Sequence, residues 1–235
     1  TLLAPDDQRT AATREHLAAA IYRQAEQAVE LGEDATAASQ FRRAMAAAPA
    51  SGISASAQFD AAQALMRAGE LLEANDLLRD FRQRYPEDDL SAGIGATLLA
   101  NYEQLEMWHE AATELDRMRN KGELQGEASR QALIVAARYY EQAGDRSTAI
   151  ARYRTYANEW PEPVDENLEA INQLVGLYTA TGDPDERVVW LQRTMTIHDN
   201  AGTAQSDRTR YLAASAATEL ADKSFETFSE LRLVH

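Results

Sequence analysis

A repeat of 37 or 38 residues constrains the fold of this chain more than any other feature of its sequence. One position of the repeat, the turn position, is held by Gly32, Gly69, Glu106, Gly144 and Gly182. Four residues earlier stand Ala28, Leu65, Tyr102, Tyr140 and Tyr178, and nine residues later stand Phe41, Leu78, Leu115, Tyr153 and Leu191. Self-similarity at a period of 20–50 residues is typical of solenoids built from stacked units.

Each unit is predicted to be a pair of helices, because apolar residues recur at helical spacing on both sides of the turn position. Glycine just past a run of this kind ends a helix. The predicted units are 13–51, 52–88, 89–125, 126–163 and 164–202, with a partial sixth at 203–222. Residues 1–12 are predicted to be a leader and residues 223–235 a tail that continues into a longer native chain.

For the first and the last helix, the spacing of the apolar residues predicts which face is buried. In the first helix, which is predicted to begin near Thr13, the face consists of Leu17, Ile21, Ala25, Ala28 and Leu31. In the last helix, predicted over about 205–222, it consists of Tyr211, Leu212, Ala216 and Leu220. Both faces follow from apolar residues three or four positions apart.

The first unit resembles the tetratricopeptide repeat (TPR) family in the second half of its sequence. Gly32 stands at the turn, Ala37 begins the second helix, Phe41 follows four residues later, and Ala44 and Pro49 complete the pattern. This resemblance implies an all-α, right-handed α-solenoid of about five helix pairs plus a C-terminal helix. It also implies that the first helix of each unit lines a concave groove that binds a protein or peptide.

The chain departs from the usual TPR pattern in its period, which is 37 or 38 residues rather than the 34 of the family. With its Tyr85-Pro86 and Trp160-Pro161 exits, it is similar to TPR proteins of the Gram-negative envelope. A periplasmic or envelope location is therefore expected, with the cytoplasm as the alternative. In the fifth unit, Arg187 replaces a small residue and Thr194 follows, so looser helix packing is expected there.

Charge and composition exclude several classes of function. The net charge of −15 disfavours non-specific binding to nucleic acid or anionic lipid. There is no cysteine, so disulfides and thiol chemistry are excluded. No apolar run approaches the roughly 18 residues of a membrane span, so no direct membrane insertion of this segment is expected.

No catalytic, metal or cofactor site is predicted. His109-Glu110 begins a helical zinc-protease pattern, but the second histidine that would share its face is missing. The four histidines, His16, His109, His198 and His235, fall in different parts of the chain. The sequence therefore indicates a protein that is not an enzyme.

The groove candidates are residues on the outward side of each unit's first helix. They are Tyr22, Glu26, Phe59, Gln63, Arg67, Gln104, Arg138, Gln142 and Asn172. An alternative for Tyr22 and Phe59 is packing against the adjacent unit, and for Arg67 and Arg138 it is pairing with Glu70 and Glu141. TPR proteins that bind chaperone tails use a clamp of Lys, Asn and Arg; because Glu26 stands where a neutral donor is needed, no such clamp is expected.

The predicted function is a non-enzymatic scaffold that binds a polypeptide partner in its groove as part of a bacterial envelope complex. The alternative is a structural spacer or oligomerisation module within a larger protein. That alternative depends on the apolar residues of the tail, which are Phe225, Phe228, Leu231, Leu233 and Val234.

Overall fold

The structure is a computed structural model that describes residues 8–230. These residues form eleven α-helices and two short 3₁₀ helices, at Asp89–Gly93 and Gly202–Ala204. Within each of its two compact units the helices pack in sequential antiparallel order as TPR-like pairs, which confirms the predicted all-α repeat solenoid. The chain divides into two compact units at Glu106 and Met107, and each unit is described by itself.

The first compact unit contains five α-helices. They are α1 (Gln8–Glu30), α2 (Asp34–Ala47), α3 (Gly52–Arg67), α4 (Leu71–Arg84) and α5 (Ile94–Gln104). Each packs against the next, and α1 also touches α3. The core between α1, α2 and α3 is rich in alanine, because small side chains let helices approach closely; Ala25, Ala37, Ala44 and Ala61 are fully buried around Phe41.

The second compact unit contains six α-helices. They are α6 (Trp108–Asn120), α7 (Gly126–Gln142), α8 (Arg146–Glu159), α9 (Val164–Thr181), α10 (Pro184–Asn200) and α11 (Asp207–Glu230). Each packs against the next, and α9 also touches α11. Its core uses larger side chains, including the buried Tyr153, Tyr156, Leu168, Ile171 and Leu174.

The turn position closes each first helix through its backbone. Gly32 has a φ of +73°, and its N–H donates to the Val29 carbonyl at 3.0 Å. The next N–H, of Glu33, reaches back to the Ala28 carbonyl at 2.8 Å. These two bonds form the Schellman motif, which requires a left-handed residue between them. The same two bonds recur at Gly69, Gly144 and Gly182.

Glu106 is the exception among the turn positions. Its φ of +54° is positive, and among the described residues it is the one non-glycine residue in that region. Its N–H donates to the Glu103 carbonyl at 3.1 Å, as in the glycine turns. A side chain in this conformation brings Cβ close to the carbonyl oxygen, so the turn carries local strain.

Helix boundaries differ from the predicted ones at both ends of the described chain. The first helix already includes Gln8, five residues before Thr13, so residues 8–12 of the predicted leader are helical. The last helix continues to Glu230 rather than ending near 222, because nothing in Ala221–Glu230 is a helix breaker. Of the predicted tail, Leu231, Leu233 and Val234 lie outside the described residues.

Three residues assigned to buried faces are exposed. Leu17 is 53% exposed because Ala18 takes the buried position beside Ile21, and Leu31 is 74% exposed because it lies past the end of α1. Tyr211 is 62% exposed, since α11 packs through Leu212 and Ala216 and leaves Tyr211 on the other side of the helix.

The fifth predicted unit remains packed despite Arg187. The guanidinium of Arg187 on α10 reaches the carboxylate of Glu219 on α11, so its long side chain is accommodated by an ion pair. Trp190 and Leu191 are each 4% exposed, and the buried Thr194 donates its hydroxyl to the Trp190 carbonyl at 3.1 Å. The ion pair explains how Arg187 fits between these helices, and the looser packing of this unit stays a prediction.

Candidate partner-binding pockets

The first candidate site is a cavity of about 370 Å³ between α1 and α3, called here the α1–α3 pocket. It lies between two successive first helices, and Phe41 of the intervening α2 forms part of its floor. Its lining consists of Tyr22, Glu26, Val29, Glu30, Phe41, Asp60, Gln63 and Arg67. The pocket therefore results from the repeat, which pairs α1 with α2 and packs α3 beside them.

Two aromatic rings form the apolar side of the α1–α3 pocket. The rings of Tyr22 and Phe41 meet edge to face, with centroids 5.1 Å apart. The Tyr22 hydroxyl donates a hydrogen bond to Asp60 of α3, which fixes the ring between the two first helices. Burial, followed by that hydrogen bond, raises the pKa of Tyr22 well above its ordinary value, so the hydroxyl stays protonated.

The charges on the rim of this pocket are unbalanced. Glu26 and Glu30 lie one helical turn apart on α1 and form no ion pair within residues 8–230. The cation on the opposite side, Arg67, donates its Nε–H to Asp34 Oδ1 at 2.7 Å. Because that guanidinium is already neutralised, the pocket presents excess negative charge.

The second candidate site is a cavity of about 390 Å³ between α7 and α9, called here the α7–α9 pocket. Tyr153 and Tyr156 of the intervening α8 form its floor. The remaining lining residues are Gln131, Ile134, Arg138, Glu166, Glu169, Ala170 and Gln173. Its construction within the second compact unit is the same as that of the α1–α3 pocket within the first.

A buried arginine supports the floor of the α7–α9 pocket. Arg130 is 5% exposed and donates from Nη1 to the Tyr156 hydroxyl at 2.7 Å. The same guanidinium pairs with Glu127 at 2.5 Å and contacts Glu166. These bonds raise the pKa of Arg130, the Glu127 bonds most, and Arg130 in turn lowers the pKa of Glu127 to about 2.

The carboxylates of the α7–α9 pocket are paired with cations. Glu166 contacts Arg130, and Glu169 accepts from Arg208 Nη2 at 3.0 Å. Arg138 lies near the Tyr153 hydroxyl, which donates to Glu141 at 3.3 Å. Burial is the main cause of the raised pKa of Tyr153, and Arg138 acts in the opposite direction.

The repeat places different charges at equivalent positions of the two pockets. Phe41 and Tyr153 both stand nine residues after the turn position, and each lines the floor. Glu26 and Arg138 both stand six residues before the turn position, on the first helix. Both floors are therefore aromatic. The equivalent rim residue, however, is negatively charged in the first pocket (Glu26) and positively charged in the second (Arg138).

The structure brings five of the nine predicted groove residues into these pockets. Tyr22, Glu26, Gln63 and Arg67 line the α1–α3 pocket, and Arg138 lines the α7–α9 pocket. The other four stand on first helices elsewhere: half-buried Phe59 and exposed Gln104, Gln142 and Asn172. The role of all nine in binding stays a prediction.

Several of the alternatives for these residues are resolved by their contacts. Arg67 pairs with Asp34 rather than with Glu70. Phe59 packs against Phe81 of α4, with centroids 5.7 Å apart, which is a contact within its own predicted unit and not with the adjacent one. Tyr22 packs on Phe41 of its own unit and donates to Asp60 of the adjacent one, as its packing alternative predicts, and it also lines the cavity.

Sequence reasoning missed some lining residues. Asp60, Tyr156 and Glu166 were not predicted, because their place in a pocket depends on how neighbouring helices are rotated. Tyr153 was recognised only as a residue that keeps the repeat. Because Tyr153 and Phe41 stand at the same position of the repeat, a pocket floor at Phe41 would also have indicated one at Tyr153.

Metal-ligating clusters and membrane-spanning helices are both absent from the part of the chain that the structure describes. Between residues 8 and 230, no group of three or more His, Asp or Glu side chains is arranged to hold a metal ion. In the same range, none of the helices combines the length and apolar character needed to cross a membrane.

Comparison with known proteins identifies the repeat. The tetratricopeptide repeat family model matches residues 56–88, which fall within the second predicted unit. No curated protein sequence matches the chain. A solved structure of Naa15/Naa10 bound to HypK-THB is similar with a TM-score of 0.57 and 17% identity, over 87% of this chain.

The matched Naa15/Naa10 chain is much longer, and the present chain spans 29% of its length. A tetratricopeptide repeat protein from Parabacteroides merdae is also similar, with a TM-score of 0.41 and 13% identity over 88% of each chain. At 17% identity, the likeness to the Naa15/Naa10 structure concerns the fold alone. The chain thus carries a tetratricopeptide repeat at residues 56–88 and has the helix-pair solenoid fold of tetratricopeptide repeat proteins.

Proposed function

We propose that this chain is a non-enzymatic scaffold that binds a polypeptide partner through the α1–α3 and α7–α9 pockets. The observation that carries the proposal is the shared construction of the two cavities. Each lies between successive first helices and has an aromatic floor supplied by the second helix. Side chains of an extended or helical segment fit cavities of this kind, with apolar contact on the floor and polar contact at the rim.

The mixed lining supports a polypeptide ligand. Gln63 stands on the rim of the α1–α3 pocket, while Gln131 and Gln173 stand on that of the α7–α9 pocket. Amide side chains offer both donors and acceptors, which match the backbone groups of a bound segment. Half-buried Tyr22 offers aromatic contact area of the kind that anchors side chains at interfaces, and the buried Phe41 and Tyr153 lie beneath the two floors.

Site-specific photocrosslinking tests this proposal. A photoreactive residue is placed at Gln63 or Gln173, which line the pockets, and in control variants at Arg79 or Thr196. The control positions are exposed on the second helices α4 and α10. We expect crosslinks to polypeptides from a random peptide library at the pocket positions and few at the controls. Equal crosslinking at all four positions would contradict the proposal.

We also propose that the protein acts in the bacterial envelope, with the cytoplasm as the alternative. The Tyr85-Pro86 and Trp160-Pro161 exits and the 37–38 residue period support this location. Fractionation of cells that express the native full-length protein tests it. Recovery with the periplasm or membranes is the expected result, and recovery in the cytosol alone would decide for the alternative.

A second candidate function is an oligomerisation or spacer module. Phe225 and Phe228 on α11 support it, since each is 70% exposed and exposed aromatic residues in proximity favour association. Light scattering of the wild type and of a Phe225→Ser, Phe228→Ser variant distinguishes the two candidates. Oligomers that dissociate in the variant would favour this function, and a monomeric wild type would exclude it.

A further inference from the structure

We infer that the α1–α3 pocket binds a basic side chain of the partner polypeptide, an arginine in preference to a lysine. This inference rests on the proposed function and specifies the chemistry of the ligand at one pocket. It follows from three features of the cavity: its net charge, its aromatic floor and its difference from the α7–α9 pocket.

The net charge of the lining favours a cation. Three carboxylates line the cavity, those of Glu26, Glu30 and Asp60, against the single guanidinium of Arg67. That guanidinium is held by Asp34 at 2.7 Å, and Asp60 accepts the Tyr22 hydrogen bond. Glu26 and Glu30 are the two carboxylates that no cation within the described chain balances. A partner cation there satisfies both.

The spacing of these carboxylates suits a guanidinium. Side chains four residues apart on a helix have Cβ atoms about 5–6 Å apart, so Glu26 and Glu30 face the same cation. A guanidinium presents five donors in a planar fork and can bind both carboxylates at once, whereas an ammonium acts as a compact point charge. Charge-assisted hydrogen bonds of this kind are about twice as strong as neutral ones.

The aromatic floor adds to this preference. Tyr22 and Phe41 line the same cavity as the two carboxylates, with ring centroids 5.1 Å apart. A cation within about 6 Å of a ring centroid is attracted by the ring face, and guanidinium groups also stack on such faces. Because Asp60 holds the Tyr22 hydroxyl, this ring is positioned before any ligand enters.

The α7–α9 pocket provides an internal contrast. Arg138 stands there at the position equivalent to Glu26, and both lining carboxylates are paired, Glu166 with Arg130 and Glu169 with Arg208. A basic side chain would meet like charge in that cavity. The preference for arginine is therefore a property of the α1–α3 pocket and not of the repeat in general.

The test uses the full chain and a random peptide display library. Peptides selected on the wild type are sequenced, and the affinity of one selected peptide is compared with that of its Arg→Lys and Arg→Gln versions. The chain variants are Glu26→Gln with Glu30→Gln, and a control with the same charge change at the exposed turn residues, Glu33→Gln with Glu70→Gln. Circular dichroism checks that all variants remain helical.

We expect arginine to be enriched among the selected peptides. Binding should weaken about tenfold or more in the pocket variant and less than twofold in the turn control, and the Arg→Gln peptide should lose affinity to a similar extent. Peptides that bind without basic enrichment, or that are insensitive to the pocket variant, would overturn this inference and leave the proposed scaffold intact. If no peptide is selected, both proposals fail.

Discussion

The guanidinium of Arg130 on α7 donates a 2.7 Å hydrogen bond to the hydroxyl of Tyr156 on α8, and both side chains are buried. Arginine is rarely buried unless it is paired, and here Glu127 and Glu166 supply the charges. The bond joins the two helices of one pair beneath the α7–α9 pocket. Its removal should therefore affect the stability of the fold as well as the shape of the cavity.

We expect Arg130→Ala to lower the free energy of unfolding by about 2–3 kcal/mol, because it removes the shorter hydrogen bond of the Tyr156 hydroxyl, takes the cation from Glu127 and Glu166, and opens a cavity. Urea denaturation followed by circular dichroism measures the change. Arg210→Ala is the control, since Arg210 pairs with Asp207 on an exposed face and such pairs contribute little. Equal losses in the two variants would show that the buried network is not stabilising.

The pairing of Glu127 with Arg130 makes stability depend on pH. The pKa of Glu127 is about 2 in the folded chain, below its ordinary value of 4.5, so the carboxylate stabilises the fold when it is ionised. A depressed pKa gives a contribution that is complete above the unfolded value and is lost as the pH falls through the folded one.

We expect Glu127→Gln to be less stable than the wild type at neutral pH. The difference should shrink as the pH falls from about 4.5 towards 2. Because Glu127 is exposed, the difference should also decrease with added salt. Denaturation curves over this pH range at low ionic strength give the measurement; a difference that grew on acidification would contradict the assignment.

A second buried polar contact lies in the first compact unit. Asn101 on α5 donates from Nδ2 to Asn75 Oδ1 on α4 at 2.7 Å, and the two side chains are 6% and 2% exposed. We expect Asn101→Ala to cost about 2 kcal/mol, because the Asn75 carbonyl then has no donor in a buried position. Replacing both residues with leucine should restore most of the loss. Denaturant melts of Asn101→Ala, of Asn75→Leu and Asn101→Leu singly, and of the double leucine variant give the comparison.

The turn at Glu106 offers a stabilising substitution. Glu106→Gly removes the strain of a side chain at a φ of +54° but makes the unfolded chain more flexible. The net effect should be a rise in the free energy of unfolding of about 0.5–1 kcal/mol. Gly144→Ala is the reverse control and should lower stability by about 1 kcal/mol. Nothing lies within 4 Å of a Cβ built there, so its φ of +80° alone opposes the substitution. Thermal melts compare the two variants, and changes of the same sign would refute the argument.

The repeat predicted the helix pairs and their turns because each depends on local sequence. Gly32 and its equivalents need a positive φ at the turn. Phe41 and its equivalents pack between the helices of each unit, independently of the residues at its exposed positions. The ends of α1 and α11 were not predicted, since neither Thr13 nor Lys223 lies beside a residue that stops a helix.

The α1–α3 pocket was predictable in part for the same reason. Tyr22, Glu26 and Gln63 follow from the register of the first helices, but Asp60 enters only through its contact with Tyr22 across two helices. The burial of Arg130 could not be predicted, because the carboxylates that make it tolerable come from α7 and α9 together. The periodicity does not predict side-chain contacts between residues 30 or more positions apart in the sequence. The contact between Arg130 and Glu166 is one of these.

The turns close through main-chain atoms, and the floors are made by residues that keep the repeat, whereas Glu26 and Arg138 share one register position with opposite charges. A unit of this kind can be duplicated and its copy can acquire a new ligand by one exposed substitution without first losing stability. The residues that determine the fold are therefore different from the exposed residues that would determine which ligand a unit binds. It also lets a designer exchange the preference of a single pocket and leave its neighbours as they are.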